Sequence, residues 1–173
     1  MSFSLIPRYS FNGITDISPS FLHEHGLRFI MLDLDNTIAE YKEPAPPHGV
    51  LCWAAEVKAN GIKLFIVSNS VRKTRVESFG EALGAGVILD AHKPSPKNVR
   101  LAMETAGFTP EDSALIGDQV ITDTLAANRA GVVSIIVKPK RLSNFFFAVR
   151  YALEAPFRAM CRNKLHNRVR SET

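Results

Sequence analysis

The chain has 173 residues, of which 46% are hydrophobic and 22% charged, with ten glycines and ten prolines. These values are typical of one folded domain and argue against a disordered, collagenous or coiled-coil protein. Two cysteines, Cys52 and Cys161, are too few for a disulfide scaffold or, by themselves, a zinc cluster. The amino terminus lacks the basic and apolar segments of a signal peptide, and no apolar run reaches the ~20 residues of a membrane span. We therefore expect a cytoplasmic protein.

Charge is distributed unevenly along the chain. The formal net charge is +4, from 21 basic and 17 acidic residues. Nine basic residues but only two acidic ones lie between Lys138 and Thr173, which gives this segment a net charge of +7 and the rest of the chain −3. A basic segment that also carries aromatic residues is suited to anionic lipid, nucleic acid or an acidic partner. The alternative is a solvated helix with a frayed end.

Predicted helices and strands alternate along most of the chain. Residues 1–27 are mixed in composition, and Ser18 before Pro19 predicts a short helix there. Five apolar runs predict strands: Phe29–Leu32, Ile62–Val67, Gly86–Leu89, Ala114–Ile116 and Val132–Val137. Four segments between them predict helices: Gly49–Asn60, Arg72–Leu83, Ser95–Ala106 and Val120–Ala130. Ser95-Pro96 predicts an N-cap followed by a first-turn proline, and Gly131 predicts a helix end. The alternation predicts an α/β fold with a central parallel sheet.

The segment after Pro139 predicts an amphipathic helix, which opens near Phe145-Phe146-Phe147. Charged side chains recur every four residues and mark one face: Arg150, Glu154, Arg158 and Arg162. Apolar side chains mark the other side: Val149, Leu153, Phe157 and Met160. Pro156 predicts a kink or a division of the helix. Two interpretations stay open, one in which the tail meets a membrane and one in which its apolar face packs on the rest of the chain.

Two carboxylates follow the first predicted strand directly, in the segment Asp33-Leu34-Asp35-Asn36-Thr37. Because side chains two residues apart on an extended backbone point to the same side, Asp33 and Asp35 are expected to lie together. They follow a central strand at its carboxyl end, where doubly wound sheets bind ligands. Adjacent carboxylates repel each other unless a cation lies between them, and oxygen ligands of this kind favour Mg²⁺.

Four further polar sites follow the later strands in the same way. They are Ser68-Asn69-Ser70, Lys93-Pro94, Gly117-Asp118 and Asp123. The Ser68 hydroxyl is suited to donate to a phosphate oxygen, and the Lys93 ammonium to neutralise a phosphoryl group. Taken singly, each site is more often a capped turn, a loop or a linker. Because they come in order after successive strands, with Asp123 five residues beyond Asp118, we expect all of them to converge on one edge of the sheet.

Together these motifs resemble the haloacid dehalogenase (HAD) phosphatase superfamily. DLDNT resembles its first motif, Ser68 its second, Lys93-Pro94 its third and GDQVITD its fourth. The residues of these motifs, together with the amino-terminal segment IPRYSFNGITDISPSFLHEHGLRF, more closely resemble the YqeG-like branch, subfamily IIIA. This resemblance extends over roughly residues 5–140. The resemblance implies a three-layer Rossmann-like (HAD-like) phosphatase domain over residues 1–140. Residues 141–173 would then form a basic amphipathic helical extension.

The resemblance also implies a chemistry, Mg²⁺-dependent hydrolysis of a phosphomonoester through an aspartyl-phosphate intermediate. Asp33 is the implied nucleophile, and Asp35 the implied general acid and then base. The implied metal ligands are Asp33, Asp35 through its backbone carbonyl, Asp118 and Asp123, of which Asp123 alternatively anchors Lys93. The implied phosphate-binding residues are Thr37, Ser68, Asn69 and Lys93, with Thr37 also orienting the first motif.

The spacing between motifs bears on substrate size, because many superfamily members carry an inserted cap domain that selects the substrate. Here only Ile38–Lys63 separates the first motif from the next strand, and Ser70–Lys93 holds room for one helix and one strand. We therefore expect a capless enzyme with an open site, which in this superfamily favours large substrates or a neighbouring subunit as a lid. Arg72, Lys73 and Arg75 either help bind an anionic substrate or are simply exposed.

The sequence leaves three functions open. The first is a lipid phosphatase in peripheral contact with an anionic membrane, since the YqeG-like branch is similar to eukaryotic phosphatases of phosphatidylglycerophosphate and basic, aromatic tails suit lipid surfaces. Its reaction would yield phosphatidylglycerol at the inner membrane face. The second is a phosphatase of a soluble sugar, nucleotide or protein phosphate. The third is an RNA- or ribosome-binding module that uses the basic tail, which the pair Asp33 and Asp35 disfavours. The oligomeric state stays open.

Overall fold

A parallel sheet forms the centre of the structure, a computed structural model that describes residues 4–141, 145–161 and 163–164. Within these residues the strands are β1 (Tyr9–Phe11), β2 (Phe29–Leu32), β3 (Lys63–Val67), β4 (Gly86–Ile88), β5 (Ser113–Gly117), β6 (Val133–Val137) and β7 (Asn163–Lys164). Their order across the sheet is β4-β3-β2-β5-β6-β1-β7, and all pairings are parallel. The chain leaves β2 towards β3 on one side and later returns to β5 on the other, which opens a crevice at the carboxyl ends of these strands.

Helices cover both faces of the sheet. They are α1 (Pro19–Glu24), α2 (His48–Ala59), α3 (Lys73–Leu83), α4 (Lys97–Ala106), α5 (Leu125–Ala130) and α6 (Phe145–Ala159). Alternate residues of β2 enter different cores: Ile30 and Leu32 pack with α2 and α3, whereas Phe29 and Met31 pack with α4 and α5. Burial on both faces explains why this strand is a continuous apolar run. The predicted three-layer α/β fold is confirmed.

The register of the central strands brings their carboxyl ends to one level. Leu32 on β2 lies opposite Ile66 on β3 and Ile116 on β5. Asp33 follows Leu32 directly. Ser68 comes two residues after Ile66, and Asp118 comes two residues after Ile116. The sheet therefore delivers these three side chains to the same edge.

The connections between β2 and β6 are short. Within residues 29–137, which the structure describes throughout, each connection between consecutive strands carries a single α-helix and no inserted domain. The expectation of a capless fold is confirmed. No helix in the described part of the chain combines the length and apolar character needed to cross a membrane.

Two predicted helix starts are corrected by the structure. α4 begins at Lys97 and not at Ser95, because Pro96 occupies the N-cap position and the Ser95 hydroxyl accepts a long 3.4 Å hydrogen bond from the Lys97 amide. The segment predicted as one helix over 120–130 begins with a π-helical turn, Val120–Thr124, before α5. Such wider turns are frequent at functional sites.

α6 packs its charged face inward. The Glu154 carboxylate is buried, accepts a hydrogen bond from the Ile121 amide at 3.2 Å, and pairs with Arg158 at 3.0 Å. The apolar side chains Val149, Leu153 and Met160 are exposed. For these three residues the interpretation in which the apolar face packs on the rest of the chain is wrong, whereas Phe157, the fourth apolar residue of that face, is half-buried. The predicted division is also wrong, because α6 continues through Pro156 to Ala159. Arg162 lies outside the described residues.

Candidate active site

A buried lysine joins two of the predicted carboxylates. Lys93 Nζ lies 2.6 Å from Asp33 Oδ1 and 2.7 Å from Asp123 Oδ1. Burial acts to lower the pKa of Lys93, but the adjacent charges of Asp123 and Asp33 outweigh it and raise this pKa. The ammonium is therefore charged and held between the segments that follow β2 and β5.

Three carboxylates gather around this lysine. Asp33, Asp118 and Asp123 are all buried, and each offers an oxygen within 4.8 Å of the others. Burial raises the pKa of Asp33 to about 7, with a further rise from Asp123, although Lys93 opposes both. Burial and the charges of Asp33 and Asp123 also raise the pKa of Asp118 well above its ordinary value. The cluster therefore carries more negative charge than its surroundings neutralise.

The donor set suits a divalent cation. When ionised, the three carboxylates outnumber the one ammonium by two negative charges, and Arg150 and Arg158 offset part of the charge at Asp118. A divalent cation would neutralise the remainder. Carboxylate oxygens are ligands that Mg²⁺ accepts, so the cluster fits the predicted metal. Thr37 Oγ1 donates to Asp118 Oδ1 at 3.4 Å, and the Thr37 side chain is buried. Its hydroxyl thus contacts a candidate metal ligand, in keeping with the predicted orienting role.

Gly117 allows Asp123 to reach the cluster. A Cβ atom at Gly117 would overlap the Asp123 carboxylate, so no other residue type fits without moving it. The π-helical turn brings Asp123 back towards the end of β5, where its Oδ2 accepts a 3.0 Å hydrogen bond from the Gln119 amide. The role of Gly117 is therefore to let the Asp123 side chain approach the backbone closely, which a simple turn would not require.

Asp35 lies apart from the three-carboxylate cluster and faces two arginines. Arg75 Nη1 donates to Asp35 Oδ1 at 2.8 Å, and Arg72 Nη2 reaches the same oxygen at 3.5 Å. Arg75 also donates to two backbone carbonyls of the loop 40–43 at 2.9 and 3.0 Å, and its side chain is 10% exposed. Arg75 is therefore a half-buried residue that orients Asp35, which sequence reasoning did not predict. The sequence feature that points to this role is the position of Arg75, three residues after Arg72 at the start of the helix that follows Ser68.

The two residues after β3 have different tasks. Ser68 is buried at the cavity, and its Oγ accepts a hydrogen bond from the Ser70 amide at 3.1 Å. Asn69 Nδ2 donates to the Lys93 carbonyl at 3.0 Å, and Asn69 Oδ1 accepts from the Lys93 amide at 2.8 Å. Because the nitrogen and the oxygen of the Asn69 side-chain amide both bind the Lys93 backbone, this side chain positions the lysine. Asn69 also lines the cavity, and its predicted role as a phosphate ligand stays a prediction.

Asp33 and Asp35 open into a cavity of about 320 Å³. Its lining includes Asp33, Asp35, Tyr41, Ser68, Arg72, Lys93 and Arg150. Arg150 comes from α6, and Arg158 of the same helix donates to the backbone carbonyl of Asp118. The carboxyl-terminal helix α6 therefore contributes to this site. The sequence pattern predicts only that the charged residues of this helix share one face, and not what that face contacts.

Comparisons with known proteins agree with this geometry. The sequence matches the family described as haloacid dehalogenase-like hydrolase over residues 14–131. It is 38% identical over 141 residues to the probable phosphatase YqeG of Bacillus subtilis (strain 168), which covers 82% of this chain and 81% of that protein.

Two solved structures share the fold. The cobalt-bound deoxy-D-mannose-octulosonate 8-phosphate phosphatase from Haemophilus influenzae superposes with a TM-score of 0.52 at 15% identity, over 79% of this chain and 92% of that one. CbbY from Rhodobacter sphaeroides in complex with phosphate superposes with a TM-score of 0.51 at 18% identity, over 69% of this chain and 90% of that one. The predicted resemblance to the YqeG-like branch is confirmed by the sequence match. The chain belongs to the haloacid dehalogenase-like hydrolases.

Proposed function

We propose that this chain is a Mg²⁺-dependent phosphomonoester hydrolase that forms an aspartyl-phosphate on Asp33. The observation that carries the proposal is the buried contact of Asp33 with Lys93, inside a cluster completed by Asp118 and Asp123. An acidic cluster alone would repel a phosphate group. A lysine held among the carboxylates, together with a divalent cation, neutralises the cluster and gives the phosphoryl oxygens positive groups to contact.

In the first half-reaction a carboxylate oxygen of Asp33 attacks phosphorus. The ester P–O bond breaks, the leaving oxygen takes a proton from Asp35, and the products are the free alcohol and a phosphorylated Asp33. Lys93 and Ser68 donate to the phosphoryl oxygens, and Asn69 holds Lys93 in place through its backbone. When bound, the cation supplies positive charge that offsets the negative charge of the attacking carboxylate and of the phosphoryl group.

In the second half-reaction water attacks the phosphorus of phosphorylated Asp33. Asp35 accepts a proton from this water, the bond between the Asp33 oxygen and phosphorus breaks, and inorganic phosphate leaves. Arg75 holds Asp35 in place for this step, because its Nη1 donates to Asp35 Oδ1 at 2.8 Å.

The test is phosphate release by the full chain with and without Mg²⁺, beside Asp33→Asn and a control, Asp90→Asn. Asp90→Asn makes the same chemical change at an exposed carboxylate of a neighbouring loop. We expect Asp33→Asn to lose on the order of 10³-fold or more of the activity and Asp90→Asn to keep it. The wild type should also yield a hydroxamate when quenched with hydroxylamine during turnover. Full activity in Asp33→Asn would overturn the proposal.

For the substrate we propose a lipid phosphate, phosphatidylglycerophosphate, which the YqeG-like resemblance implies. The outer face of α6 supports this choice. Val149, Leu153 and Met160 are 41%, 68% and 57% exposed, and with Pro156 they occupy one side of the helix. An exposed apolar side of a helix is suited to insertion at a membrane interface.

Charge and position point in the same direction. The exposed residues Lys138, Lys140 and Arg141 precede α6 and would meet an anionic bilayer, where each basic residue contributes roughly 1 kcal/mol. Arg150, the residue after Val149, lines the catalytic cavity. A bilayer on the outer face of α6 would therefore lie beside the site, with the protein peripheral at the inner membrane face.

Vesicle flotation tests the membrane contact with a matched pair of variants. Leu153→Ser removes an apolar side chain from the outer face of α6, and Leu101→Ser removes one that is 45% exposed on α4. We expect the wild type and Leu101→Ser to float with vesicles that contain phosphatidylglycerol, and Leu153→Ser to remain largely below. Equal flotation of both variants would remove α6 from the proposal. Hydrolysis of soluble esters but not of phosphatidylglycerophosphate in mixed micelles would replace the lipid by a soluble phosphate.

A further inference from the structure

Two arginines meet Asp35, and they are held very differently. Arg75 is 10% exposed and donates at 2.8–3.0 Å to Asp35 and to two loop carbonyls. Arg72 is 37% exposed, makes one 2.9 Å hydrogen bond to the Tyr41 carbonyl, and reaches Asp35 only at 3.5 Å. Holding Asp35 in place is therefore the task of Arg75, and Arg72 has a different one.

Arg72 stands at the wall of the catalytic cavity on an aromatic support. Its guanidinium carbon lies 3.9 Å from the centre of the Tyr41 ring, and both residues line the cavity. A cation stacked on an aromatic face keeps its orientation while its outer edge stays open to a ligand. The Arg72 Nε is buried with no hydrogen-bond partner in the described part of the chain. This side chain is thus placed at the cavity but incompletely satisfied there.

The cavity also holds more positive charge than one phosphoryl group uses. Lys93 is committed to Asp33 and Asp123, and Arg75 to Asp35. Arg72 is a further cation on the lining, and Arg150 from α6 also lies there, where its charge acts on Asp118. The cavity of about 320 Å³ is at the lower end of the roughly 300–1,000 Å³ typical of small-molecule sites, so it holds more than a single phosphoryl group.

We infer that Arg72, stacked on Tyr41, binds a second anionic group of the substrate, so that the enzyme selects phosphomonoesters that carry a further phosphate. The inference rests on the proposed function and narrows its substrate class. Planar guanidinium groups pair with two phosphate oxygens at once, which a lysine does not do. The second phosphate is either the phosphodiester of a lipid headgroup or a phosphate of a soluble bisphosphate.

The experiment compares substrates that differ only in the second phosphate. The full chain is assayed with a short series of α,ω-alkanediol bisphosphates and the matching monophosphates, and the ratio of their kcat/KM values is the readout. The variants are Arg72→Gln and the control Lys73→Gln. Lys73 is the next residue in the chain, and its substitution by Gln removes the same charge. Its side chain is 71% exposed and pairs with Glu77, and it is not among the residues that line the cavity.

We expect the bisphosphate to be preferred by about tenfold in the wild type and in Lys73→Gln, and the preference to disappear in Arg72→Gln. Arg72→Lys should retain only part of it. An unchanged ratio in Arg72→Gln would overturn the inference while leaving the hydrolase intact. An equal loss on both substrates would also overturn it, because Arg72 would then act only through Asp35.

Binding separates this inference from the proposed function. In the Asp33→Asn background, titration calorimetry with the same bisphosphate and monophosphate measures the preference without turnover. If the wild type hydrolyses no ester, the proposed function fails, and equal affinities in this background would overturn the inference independently. Phosphatidylglycerophosphate and its deacylated headgroup form the last pair. If the deacylated headgroup is still preferred over a monophosphate, the two phosphates are what the enzyme recognises. If the preference requires the acyl chains, the proposed role of Arg72 is overturned.

Discussion

Replacing Asp33 by Asn is expected to stabilise the metal-free protein at about pH 8, although it abolishes the proposed nucleophile. Burial raises the pKa of Asp33 from 3.8 to about 7, with Lys93 opposing and Asp123 adding to the rise. Above that pKa the folded protein holds a buried charge that the unfolded chain carries in water. An asparagine at this position would keep the size and polarity of the side chain and remove that charge.

The size of the effect follows from the proton balance. A folded-state pKa above the unfolded one means that the folded protein binds more protons between the two values, so stability falls as pH rises from about 4 to about 7. The loss is about 1.4 kcal/mol per pH unit in this window. From about pH 5 to about pH 8, Asp33 therefore costs the wild type about 3 kcal/mol that the Asn variant does not lose. Asp118 acts in the same direction, because the Asp33 charge also raises the pKa of Asp118.

Urea unfolding in EDTA at about pH 5 and about pH 8 measures this difference. The control is Asp90→Asn, which neutralises a carboxylate whose side chain is 55% exposed and should change stability little at either pH. We expect the free energy of unfolding of Asp33→Asn, relative to wild type, to rise by about 3 kcal/mol between the two pH values. A difference that does not depend on pH, or a variant less stable than wild type at about pH 8, would refute the assignment of Asp33 as a buried carboxylate held at a cost.

Three further predictions concern the same cluster. Mg²⁺ should raise the melting temperature more at about pH 8 than at about pH 5, because protons compete with Mg²⁺ for Asp33 and Asp118, the two carboxylates of raised pKa. An equal shift of the melting temperature at the two pH values would place the ion elsewhere. Gly117→Ala should weaken calorimetric Mg²⁺ binding by more than about tenfold by displacing Asp123, whereas Gly49→Ala, where a Cβ meets nothing within 4 Å, should not. Lys93→Met should destabilise the EDTA-treated protein by about 3–5 kcal/mol at about pH 8 and less at about pH 5, as urea unfolding reports.

The positions of the motif residues were predictable because a parallel sheet converts sequence order into spatial proximity. Asp33, Ser68 and Asp118 each follow a buried apolar run, and the paired register of β2, β3 and β5 leaves no freedom in where those runs end. The sequence also predicts the absence of a cap, because the connection lengths admit only one helix each. These conclusions depend on strand periodicity, which is a local property of the chain.

The contacts of individual polar side chains were not predictable in the same way. The sequence predicts Asn69 as a phosphate ligand but does not predict that its amide binds the Lys93 backbone, which lies 24 residues away in the chain. For Arg75 the sequence leaves exposure and substrate binding open, because its position depends on two carbonyls of the loop 40–43, which lie far from it in the chain. β1 was missed because three residues between Pro7 and Gly13 are too short for alternation to be recognised.

The orientation of α6 is the most instructive difference. Periodicity divides a helix into faces, but it does not state which face is inward. Here the inward face is chosen by partners at the end of β5: the Ile121 amide, which donates to Glu154, and the Asp118 carbonyl, which Arg158 contacts. Burying this paired face satisfies backbone groups of the catalytic segment that an apolar face would leave unpartnered. Part of the basic charge counted in the tail is therefore committed to the active site, and the exposed apolar side of α6 is a consequence of that commitment.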